Sequence, residues 1–498
     1  MSTLGIAEFY SGKDILITGA TGFMGKVLVE KLLRSCPTIG NIYIIVRSRH
    51  GKTSQQRWNG LTELPLFDLL KKLKPEALSK VIAINGDVSQ EFLGLKNKDY
   101  KLLADKVSII FHSAASVRFN DPLHVAVKLN TYGTLQVVNL ALKMKKLKVL
   151  VHISTAYSNC QMTEVEEKIY PSARDWREVL SVVENTDPTI MSILTPKYLN
   201  DLPNTYVFSK SLAENLVWEK RNELPIVIFR PTIVISSWKE PVPGWIDNFN
   251  GPVGLVFGVC KGLVRTTLAD PNAMADFTLV DAAIKAITVC AWKRANKPHC
   301  EQEKFIYNCA STHKNITNQE LMITGLEIHE QDPIAEILWY PSISVHTSTF
   351  WYGLEALYKH FIPALIIDTI LKITGNNPLI LKLQIKVHTA LLALQYFQLR
   401  RWQFQNDNFM GLLKEIPAED KEAFDFDFIS LDPREYLQNC AMIGGKKYLL
   451  KEKDVDREEV RRKFYIMKYL HYGLLTVVRC GMLWSLYKLY CAFEYENI

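Results

Sequence analysis

The sequence lacks several features that would place it in a class at once. Its nine cysteines are scattered and contain no Cys-x-x-Cys pair, a pattern typical of reduced thiols that face the cytosol. No charged segment followed by an apolar one precedes the first apolar run, so we expect no secretory signal. The net charge of +7 over 498 residues is too small to predict a nucleic-acid partner, although it suits anions such as phosphates. Repeats and low-complexity tracts are also absent, which leaves a chain that can bury a large core.

Apolar residues, by contrast, are abundant. Hydrophobic residues make up 48% of the chain and aromatic residues 11%, which indicates an apolar ligand or a lipid surface. The length predicts two or three domains. Changes in pattern along the chain divide it into three predicted regions, which span 1–345, 351–455 and 464–493.

The first part of the chain alternates short β-rich runs with helical stretches. Most of the runs are continuously apolar, which is typical of parallel strands covered on both faces. The runs occupy 14–20, 41–47, 80–86, 107–114, 148–155 and 225–234, and helices are predicted between them over 24–35, 121–146 and 205–222. This alternation predicts an α/β fold with a doubly wound parallel (Rossmann) sheet, followed by a mostly helical C-terminal domain.

Glycines connect the first predicted strand to the first predicted helix. In ILITGATGFMGK, Gly19, Gly22 and Gly25 allow a tight turn, close approach of the backbone to a pyrophosphate, and close packing of the helix on the strand. The helix N-terminus adds partial positive charge. A purely structural turn is the alternative, but the strand–turn–helix context favours a dinucleotide site.

The end of the second predicted strand indicates which dinucleotide binds. An NAD site usually has a carboxylate there, which holds the ribose 2′-hydroxyl. This chain instead has Arg47 and Arg49 in IIVRSRHGK, and a guanidinium pairs well with a 2′-phosphate. We therefore predict NADPH as the cofactor, the alternative being that the two arginines form a solvated turn.

Further cofactor contacts are predicted at other strand ends. Asp87 and Val88 follow the third strand, where an adenine would lie, and small residues follow the fourth. Asn130 lies in the next helix, where its amide could hold backbone or water near the site. Each of these residues has a purely structural alternative, and no metal site is predicted. The remaining predicted contacts are Thr18, Ser113, Ala114, Ala115, Pro231 and Ile233.

A tyrosine and a lysine stand four residues apart in NTYVFSKSLAENLVWEK, so a helix places Tyr206 and Lys210 on one face. A free tyrosine has a pKa of about 10. An ammonium about 4 Å away, at an effective dielectric constant of 20, favours the phenolate by about 4 kcal/mol. We therefore expect Lys210 to lower the pKa of Tyr206, which would act as a proton donor. The alternative is a pair on a helix surface.

Two hydroxyls end the fifth predicted strand. Ser154 and Thr155 lie in VHISTAYSN, at the carboxyl edge where such sheets bind ligands. One of them would donate a hydrogen bond to a substrate carbonyl as negative charge develops. The choice between them stays open, with a slight preference for Thr155.

These motifs together resemble an extended short-chain dehydrogenase/reductase, and the whole chain resembles the fatty acyl-CoA reductases of animals and plants. TGATGFMGK, STAYSN and YVFSK carry the resemblance to the superfamily. The narrower resemblance is carried by VLVEKLLRSCP, by NFNGPVGLVFGVCKGLVR, and by the C-terminal stretch from HFIPALIIDTILKITGNNP to FDFDFISLDPREYLQNCAMIGGKKYLLKE. It covers roughly residues 10 to 455.

The resemblance implies a reaction. A long-chain acyl-CoA thioester would be reduced by two NADPH to a primary fatty alcohol, with release of CoA through an enzyme-bound aldehyde. Tyr206 would supply the proton, Lys210 would tune it, and Ser154 or Thr155 would bind the carbonyl oxygen.

The resemblance also implies binding residues. By position, Phe23 and Met24 would contact the cofactor together with the glycines and Arg47. Lys261 and Arg265 flank the glycine-rich segment and are candidates for the CoA phosphates, the alternative being a solvated basic edge.

The tail predicts a membrane location. Residues 473–490 form a mostly apolar stretch near the lower length limit for a membrane span, with Arg479 near its middle. We expect the region 464–493 to attach the protein to a membrane by spanning it, by lying in its interface or by forming a hairpin with 361–371, the alternative being a buried core helix. The resemblance implies a peroxisomal or endoplasmic reticulum membrane, with the catalytic domain in the cytosol.

Two other functions fit the first part of the chain. One is a related dehydrogenase or epimerase that acts on a sterol or a nucleotide sugar, and the C-terminal stretch argues against it. The other is a non-catalytic lipid-binding protein with a retained nucleotide fold, and the intact Tyr206 and Lys210 argue against it. The sequence leaves a homo-oligomer open.

Overall fold

The chain passes repeatedly between two structural units. A computed structural model describes residues 4–49, 51–297, 305–311, 316–453 and 455–496. Unit 1 comprises Met1–Asn248, Met274–Ile316 and Arg400–Gly444, and unit 2 comprises Phe249–Ala273, Thr317–Leu399 and Gly445–Ile498. The regions predicted over 1–345, 351–455 and 464–493 are divisions of the sequence and stay a prediction.

A parallel sheet of seven strands forms the centre of unit 1. The strands are β1 (Asp14–Thr18), β2 (Ile42–Val46), β3 (Val81–Asn85), β4 (Val107–His112), β5 (Val149–Ile153), β6 (Ile226–Pro231) and β7 (Ile306–Cys309). Their order is β7-β6-β5-β4-β1-β2-β3, so the strand order reverses between β1 and β4. Doubly wound sheets bind their ligands at this reversal. The predicted fold class is confirmed.

Helices surround the sheet and make up most of unit 2. Those used below are α1 (Phe23–Ser35), α2 (Gly133–Lys143), α3 (Thr205–Glu219), α4 (Pro252–Cys260), α5 (Val280–Ala295), α6 (Asn318–Gln331), α7 (Thr349–Ala356), α8 (Ile362–Ile373), α9 (Ile380–Gln398), α10 (Asp407–Glu415) and α11 (Arg457–Glu496). Other helices are Ile6–Phe9, Ser54–Thr62, Asp68–Leu73, Asn97–Lys106, Leu123–Val127, Trp176–Asn185, Pro188–Leu199, Lys421–Phe424, Pro433–Tyr436 and Met442–Gly444. Short strands occupy Glu164–Val165, Ile233–Ile235, Thr266–Leu268, Met274–Ala275, Phe277–Leu279, Ile316–Thr317, Ser344–His346 and Gln403–Phe404.

Apolar side chains bury both faces of the sheet. Every residue of β2, β4, β5 and β6 is buried, as continuously apolar parallel strands require. Helices α2 and α3 pack with the strands in one apolar cluster, and α5 packs against β5, β6 and α1. This packing fixes the carboxyl ends of the strands, where the predicted site residues lie.

The helix predicted over 121–146 is interrupted. A helix over Leu123–Val127 continues through a π turn over Lys128–Tyr132 into α2. The side chains of Asn130 and Thr131, both in this turn, are hydrogen-bonded to Ser209 of α3. A π turn holds one residue more than an α-helical turn, and these contacts with a distant helix favour it. The periodicity of the sequence does not reveal such contacts.

Unit 2 is built mainly from α4, α6, α7, α8, α9 and α11. Its short strands Thr266–Leu268 and Ser344–His346 pair in parallel. The carboxylate of Asp368 in α8 accepts hydrogen bonds of 2.9 Å from the backbone N–H groups of Ile380 and Leu381. A side chain of one helix therefore caps the N-terminus of the next, α9.

The predicted membrane location is wrong. The apolar stretch 473–490 lies within α11, whose 40 residues make it the longest helix among those described. Throughout the described part of the chain, no helix combines the length and the apolarity needed to cross a membrane. Arg479, Lys488 and several tyrosines lower the hydropathy of the stretch.

Candidate active site

The loop between β1 and α1 has glycines where a side chain would not fit. Gly19 has a φ of +75°, and a Cβ there would lie 2.7 Å from the backbone nitrogen of Ala114. A Cβ on Gly25 would lie 2.2 Å from the carbonyl oxygen of Gly19. Backbone rather than side chains therefore forms the surface beside the carboxyl ends of β1 and β4.

The N-terminus of α1 fits the phosphates of a dinucleotide. Gly22 is the N-cap residue, and no side chain caps the helix. The backbone N–H groups of the first turn are therefore left for the oxygens of a pyrophosphate. Phe23 stacks on Trp245 with ring centroids 5.4 Å apart, and Met24 is half-buried. The glycines and this helix end lie together, and their contact with a pyrophosphate stays a prediction.

A histidine that the sequence analysis missed connects this cradle to α2. Nδ1 of His112 lies 2.7 Å from Oγ1 of Thr18, and Nε2 lies 2.9 Å from Oγ1 of Thr134. The Thr134 hydroxyl donates its proton to the carbonyl oxygen of Asn130, so Nε2 of His112 must donate to Thr134. Nδ1 then accepts from the Thr18 hydroxyl, whose oxygen accepts from the Ala114 N–H at 3.2 Å.

The other predicted contacts after β4 lie in the same connection. The N–H of Ser113 donates to the carbonyl oxygen of Thr18 at 3.2 Å, and Ala115 is half-buried. Asn130 accepts the N–H of Ser116 at 2.8 Å and donates to Oγ of Ser209 at 2.9 Å. The Asn130 amide therefore ties this connection to α3.

Arginines surround the end of β2. Arg47 is exposed and lies 3.6 Å from the carboxylate of Asp87, so the structure brings two predicted cofactor residues together. Arg49 is exposed and pairs through its backbone with Lys52. Arg57, which the sequence analysis missed, donates to the carbonyl oxygen of Arg47. The cluster is basic and open to solvent, as a site for a 2′-phosphate must be.

Three predicted cofactor residues, Val88, Pro231 and Ile233, lie in the apolar core or in strands. Val88 belongs to the apolar cluster beneath α2 and faces Gly133. Pro231 ends β6 and pairs with Cys309 of β7, and Ile233 begins the next short strand and is half-buried. Their cofactor roles stay predictions.

The structure brings Tyr206, Lys210 and Thr155 together. Asn204 caps α3 by accepting the N–H of Val207 at 2.9 Å, which places Tyr206 in the first turn. The side chain of Thr155 lies close enough to the Tyr206 hydroxyl to lower the pKa of the phenol. Nζ of Lys210 donates to the carbonyl oxygen of Ile153 at 2.6 Å.

Ser154 differs from its neighbour Thr155. Its Oγ is buried and has no hydrogen-bond partner in the part of the chain that the structure describes. Tyr206 also stacks on Phe119, with ring centroids 5.8 Å apart. Of the two hydroxyls left open by the sequence, Thr155 is therefore the one that contacts the tyrosine.

The pKa of Tyr206 differs from the expectation. Burial raises it to about 12, and the hydrogen bond from Thr155 opposes the rise only in part. Burial lowers the pKa of Lys210 to about 8, against the attraction of Glu214. The ammonium is bound to the Ile153 carbonyl, and burial of the phenol outweighs any effect of its charge.

A buried ion pair lies one turn beyond Lys210, and the sequence analysis missed it. Nη2 of Arg230 lies 2.7 Å from Oε2 of Glu214, and the two side chains are 0% and 2% exposed. The hydroxyl of Ser158 donates to Glu214 at 3.0 Å. An arginine at the end of an apolar strand and a glutamate four residues after Lys210 were the signals that could have revealed the pair.

Comparisons with known proteins identify the family. Two family models, both described as male sterility protein and the first an NAD-binding model, match residues 17–287 and 359–452. The chain is 39% identical to fatty acyl-CoA reductase 1 of Xenopus laevis over 95% of this chain and 92% of that protein. The human fatty acyl-CoA reductase 1 is 37% identical, with the same coverage.

The chain belongs to the fatty acyl-CoA reductase family. It is also 37% identical to fatty acyl-CoA reductase 2 of Bos taurus, over 95% of this chain and 92% of that protein. The family and its NAD-binding model make the protein an oxidoreductase with a nicotinamide cofactor.

Solved structures agree with the fold of this reductase family member. The reductase domain of a nonribosomal peptide synthetase from Mycobacterium tuberculosis superposes with a TM-score of 0.57, covering 88% of this chain and 95% of that domain at 19% identity. The terminal R domain of the myxalamid pathway gives a TM-score of 0.56, covering 87% and 90% at 18% identity.

Proposed function

We propose that the protein reduces long-chain fatty acyl-CoA to primary fatty alcohol with NADPH, releasing CoA through an enzyme-bound aldehyde. The observation that carries the proposal is the contact between Tyr206 and Thr155 at the carboxyl edge of the sheet, with Lys210 on the same helix. Relatives named fatty acyl-CoA reductase, similar over nearly the whole chain, support the choice of substrate.

The residues present fit NADPH, which supplies hydride when bound. Backbone at Gly19, Gly22 and Gly25 would hold the pyrophosphate. Arg47 and Arg49 would pair with the 2′-phosphate, for which NADH has no counterpart. The ion pair of Arg47 with Asp87 orients that guanidinium at the end of β2.

Tyr206 and Thr155 would act on the carbonyl oxygen. With a pKa raised to about 12, Tyr206 keeps its proton at neutral pH and can donate it as the carbonyl carbon is reduced. Thr155 would hydrogen-bond the same oxygen while negative charge develops on it. Collapse of the thiohemiacetal would return its hydroxyl proton to the Tyr206 phenolate, re-form the carbonyl as an aldehyde, break the carbon–sulfur bond and release CoA thiolate.

The same two residues would serve the second reduction. The aldehyde oxygen would occupy the position of the thioester oxygen, and Tyr206 would give it a proton to yield the alcohol. Lys210, held by the carbonyl of Ile153, would supply positive charge that stabilises the phenolate left after Tyr206 gives its proton.

The test is turnover by the purified full-length chain. With palmitoyl-CoA we expect two NADPH to be oxidised for each hexadecanol formed, and much slower turnover with NADH. Tyr206→Phe removes the proton donor and should lower kcat by at least about a hundredfold. NADPH consumption and alcohol formation are followed together by absorbance and gas chromatography.

The alternatives give different results. Oxidation or epimerisation of a sterol or nucleotide sugar, with no alcohol from palmitoyl-CoA, would support a related dehydrogenase. Binding of NADPH and lipid without turnover of any of these compounds would support a non-catalytic protein. Full activity of Tyr206→Phe would contradict the assigned role of the tyrosine.

A further inference from the structure

A half-buried arginine in unit 2 has no acidic partner among the described residues. Arg265 follows α4 and directly precedes the strand Thr266–Leu268. Its Nε is buried with no hydrogen-bond partner among the described residues, and none of their carboxylates forms an ion pair with its guanidinium. Burial lowers the pKa of the guanidinium. A buried donor that lacks an acceptor costs free energy, so the position of Nε favours a bound anion.

A second cation, Lys359, lies in the same part of unit 2 as Arg265. Nζ of Lys359 donates to Oγ of Ser344, whose backbone N–H donates to the carbonyl oxygen of Arg265. Burial lowers the pKa values of His360 and His471, and the two cations lower them further. The carboxylate in this cluster is Glu355. Its Oε2 lies 3.1 Å from Nζ of Lys359, and its Oε1 accepts the hydroxyl proton of Tyr358 at 3.1 Å, so both oxygens are engaged.

The two histidines have their acceptor nitrogens occupied. Nε2 of His360 accepts the backbone N–H of Arg265 at 2.8 Å, which leaves its proton on Nδ1. Nδ1 of His471 accepts the indole N–H of Trp339 at 2.9 Å, which leaves its proton on Nε2. The cluster therefore offers donors and positive charge, the combination that phosphate oxygens require.

We propose that Arg265 and Lys359, with His360 and His471 beside them, bind a phosphate group of the coenzyme A part of the substrate. The inference rests on the proposed function, because that function supplies a ligand with several phosphates. A guanidinium presents paired N–H donors that match phosphate oxygens. Lys261, half-buried one turn before Arg265, extends the basic segment.

The buried Nε of Arg265 separates the two interpretations that the sequence left open. A solvated basic edge would leave the guanidinium in water with all its donors hydrated. The structure instead removes Nε of Arg265 from water and gives it no acceptor among the described residues. A bound phosphate would supply the missing acceptor and the missing negative charge.

The test compares thioesters with and without phosphates. We expect Arg265→Gln in the full chain to raise the KM for palmitoyl-CoA by about tenfold or more, since a charged hydrogen bond is lost. The KM for S-palmitoyl-pantetheine, which carries no phosphate, and the KM for NADPH should stay unchanged. Arg462→Gln, an exposed arginine of α11, is the matched control and should change none of these values.

Calorimetric binding of CoA itself separates this inference from the proposed function, because binding does not require turnover. Weaker CoA binding by Arg265→Gln, with wild-type binding by Arg462→Gln, supports the site even in a chain that reduces no thioester. Equal CoA binding by all three proteins overturns it, as does an equal rise in KM for both thioesters. Lys359→Gln provides the same comparison should Arg265→Gln fail to fold.

A third measurement identifies which phosphate group of CoA the site binds. Dephospho-CoA lacks only the 3′-phosphate, so a KM for its palmitoyl thioester that is insensitive to Arg265→Gln assigns that group to the site. Sensitivity of this thioester assigns the diphosphate. Inorganic phosphate is the remaining probe. If it binds to the wild type more tightly than to Arg265→Gln, while Arg265→Gln binds CoA and pantetheine as tightly as the wild type does, the site holds a free anion and the proposal is contradicted.

Discussion

At the scale of single residues, Thr155 and Ser154 are adjacent hydroxyls with different surroundings. The side chain of Thr155 acts on the Tyr206 hydroxyl, whereas Oγ of Ser154 is buried with no partner among the described residues. Thr155→Ala removes a donor to the developing oxyanion, so kcat for palmitoyl-CoA should fall by about 10² to 10³. Ser154→Ala should retain a kcat close to that of the wild type. Steady-state kinetics at saturating NADPH measures both.

The two serine and threonine variants control for each other, because each removes one hydroxyl from the same strand end. Equal losses in kcat would mean that neither hydroxyl has a specific role. A larger loss in Ser154→Ala would assign the oxyanion contact to Ser154 and leave Thr155 as a support for Tyr206.

At the scale of secondary-structure elements, the first turn of α3 determines where Tyr206 lies. Asn204 caps this helix through the N–H of Val207. Asn204→Ala should lower the free energy of unfolding by about 1 kcal/mol and also lower kcat, because the turn that carries the tyrosine frays. Denaturant unfolding and steady-state kinetics measure the two effects.

Asn204→Ser is the control for this prediction, since a serine side chain also caps helices well. Its stability and kcat should stay near those of the wild type. A loss of kcat in the serine variant as large as in the alanine variant, without a loss of stability, would show that the Asn204 amide itself contacts the substrate or the cofactor.

The elements were predictable where their signal is local. Continuous apolar runs predicted the strands β1 to β6, and the glycine spacing predicted the turn into α1. The π turn around Asn130 was not predictable, because the side chains of Asn130 and Thr131 bond to Ser209, about 80 residues further along the chain. The pairing of Glu214 with Arg230 likewise depends on how α3 packs on β6.

The candidate site was likewise predictable where its signal is local. Helical spacing placed Tyr206 and Lys210 on one face, but it gave no information on burial, which decides the pKa of the phenol. Sequence also gave Arg265 its charge without showing that its Nε is buried. Burial is a property of the packed chain, so local patterns do not contain it.

At the scale of the whole molecule, a buried carboxylate joins distant parts of unit 1. Glu167 accepts backbone N–H groups of Asn308 in β7 and of Asn408 and Phe409 in α10. Burial raises the pKa of Glu167 to about 7, although these hydrogen bonds oppose the rise. The folded chain therefore holds a proton on Glu167 at pH values where the unfolded chain has lost it.

This raised pKa predicts the pH dependence of stability. The contribution of Glu167 is fully present below its unfolded pKa of about 4.5 and is lost as the pH rises through about 7. The free energy of unfolding of the wild type, relative to Glu167→Gln, should therefore fall between these pH values. Denaturant unfolding of both proteins across the range measures the difference. Parallel pH profiles would contradict the prediction.

The division into units was beyond sequence reasoning. The chain crosses between the units at five positions, one of which follows Asn248 and another of which follows Gly444. Each crossing depends on contacts between residues hundreds of positions apart. A linear reading of composition gives regions such as 1–345 and 351–455, and it has no access to such contacts.

Helix α3 carries Tyr206, Lys210 and Glu214 at successive intervals of four residues. The row is about 12 Å long at 1.5 Å per residue, and it belongs to one rigid body. Deleting a single residue between Tyr206 and Lys210 would turn everything beyond the deletion by about 100° and move the ammonium and the ion pair of Glu214 away from the face that carries the phenol. Engineering of substrate range is therefore best directed at surrounding loops, with the length of this helix left intact.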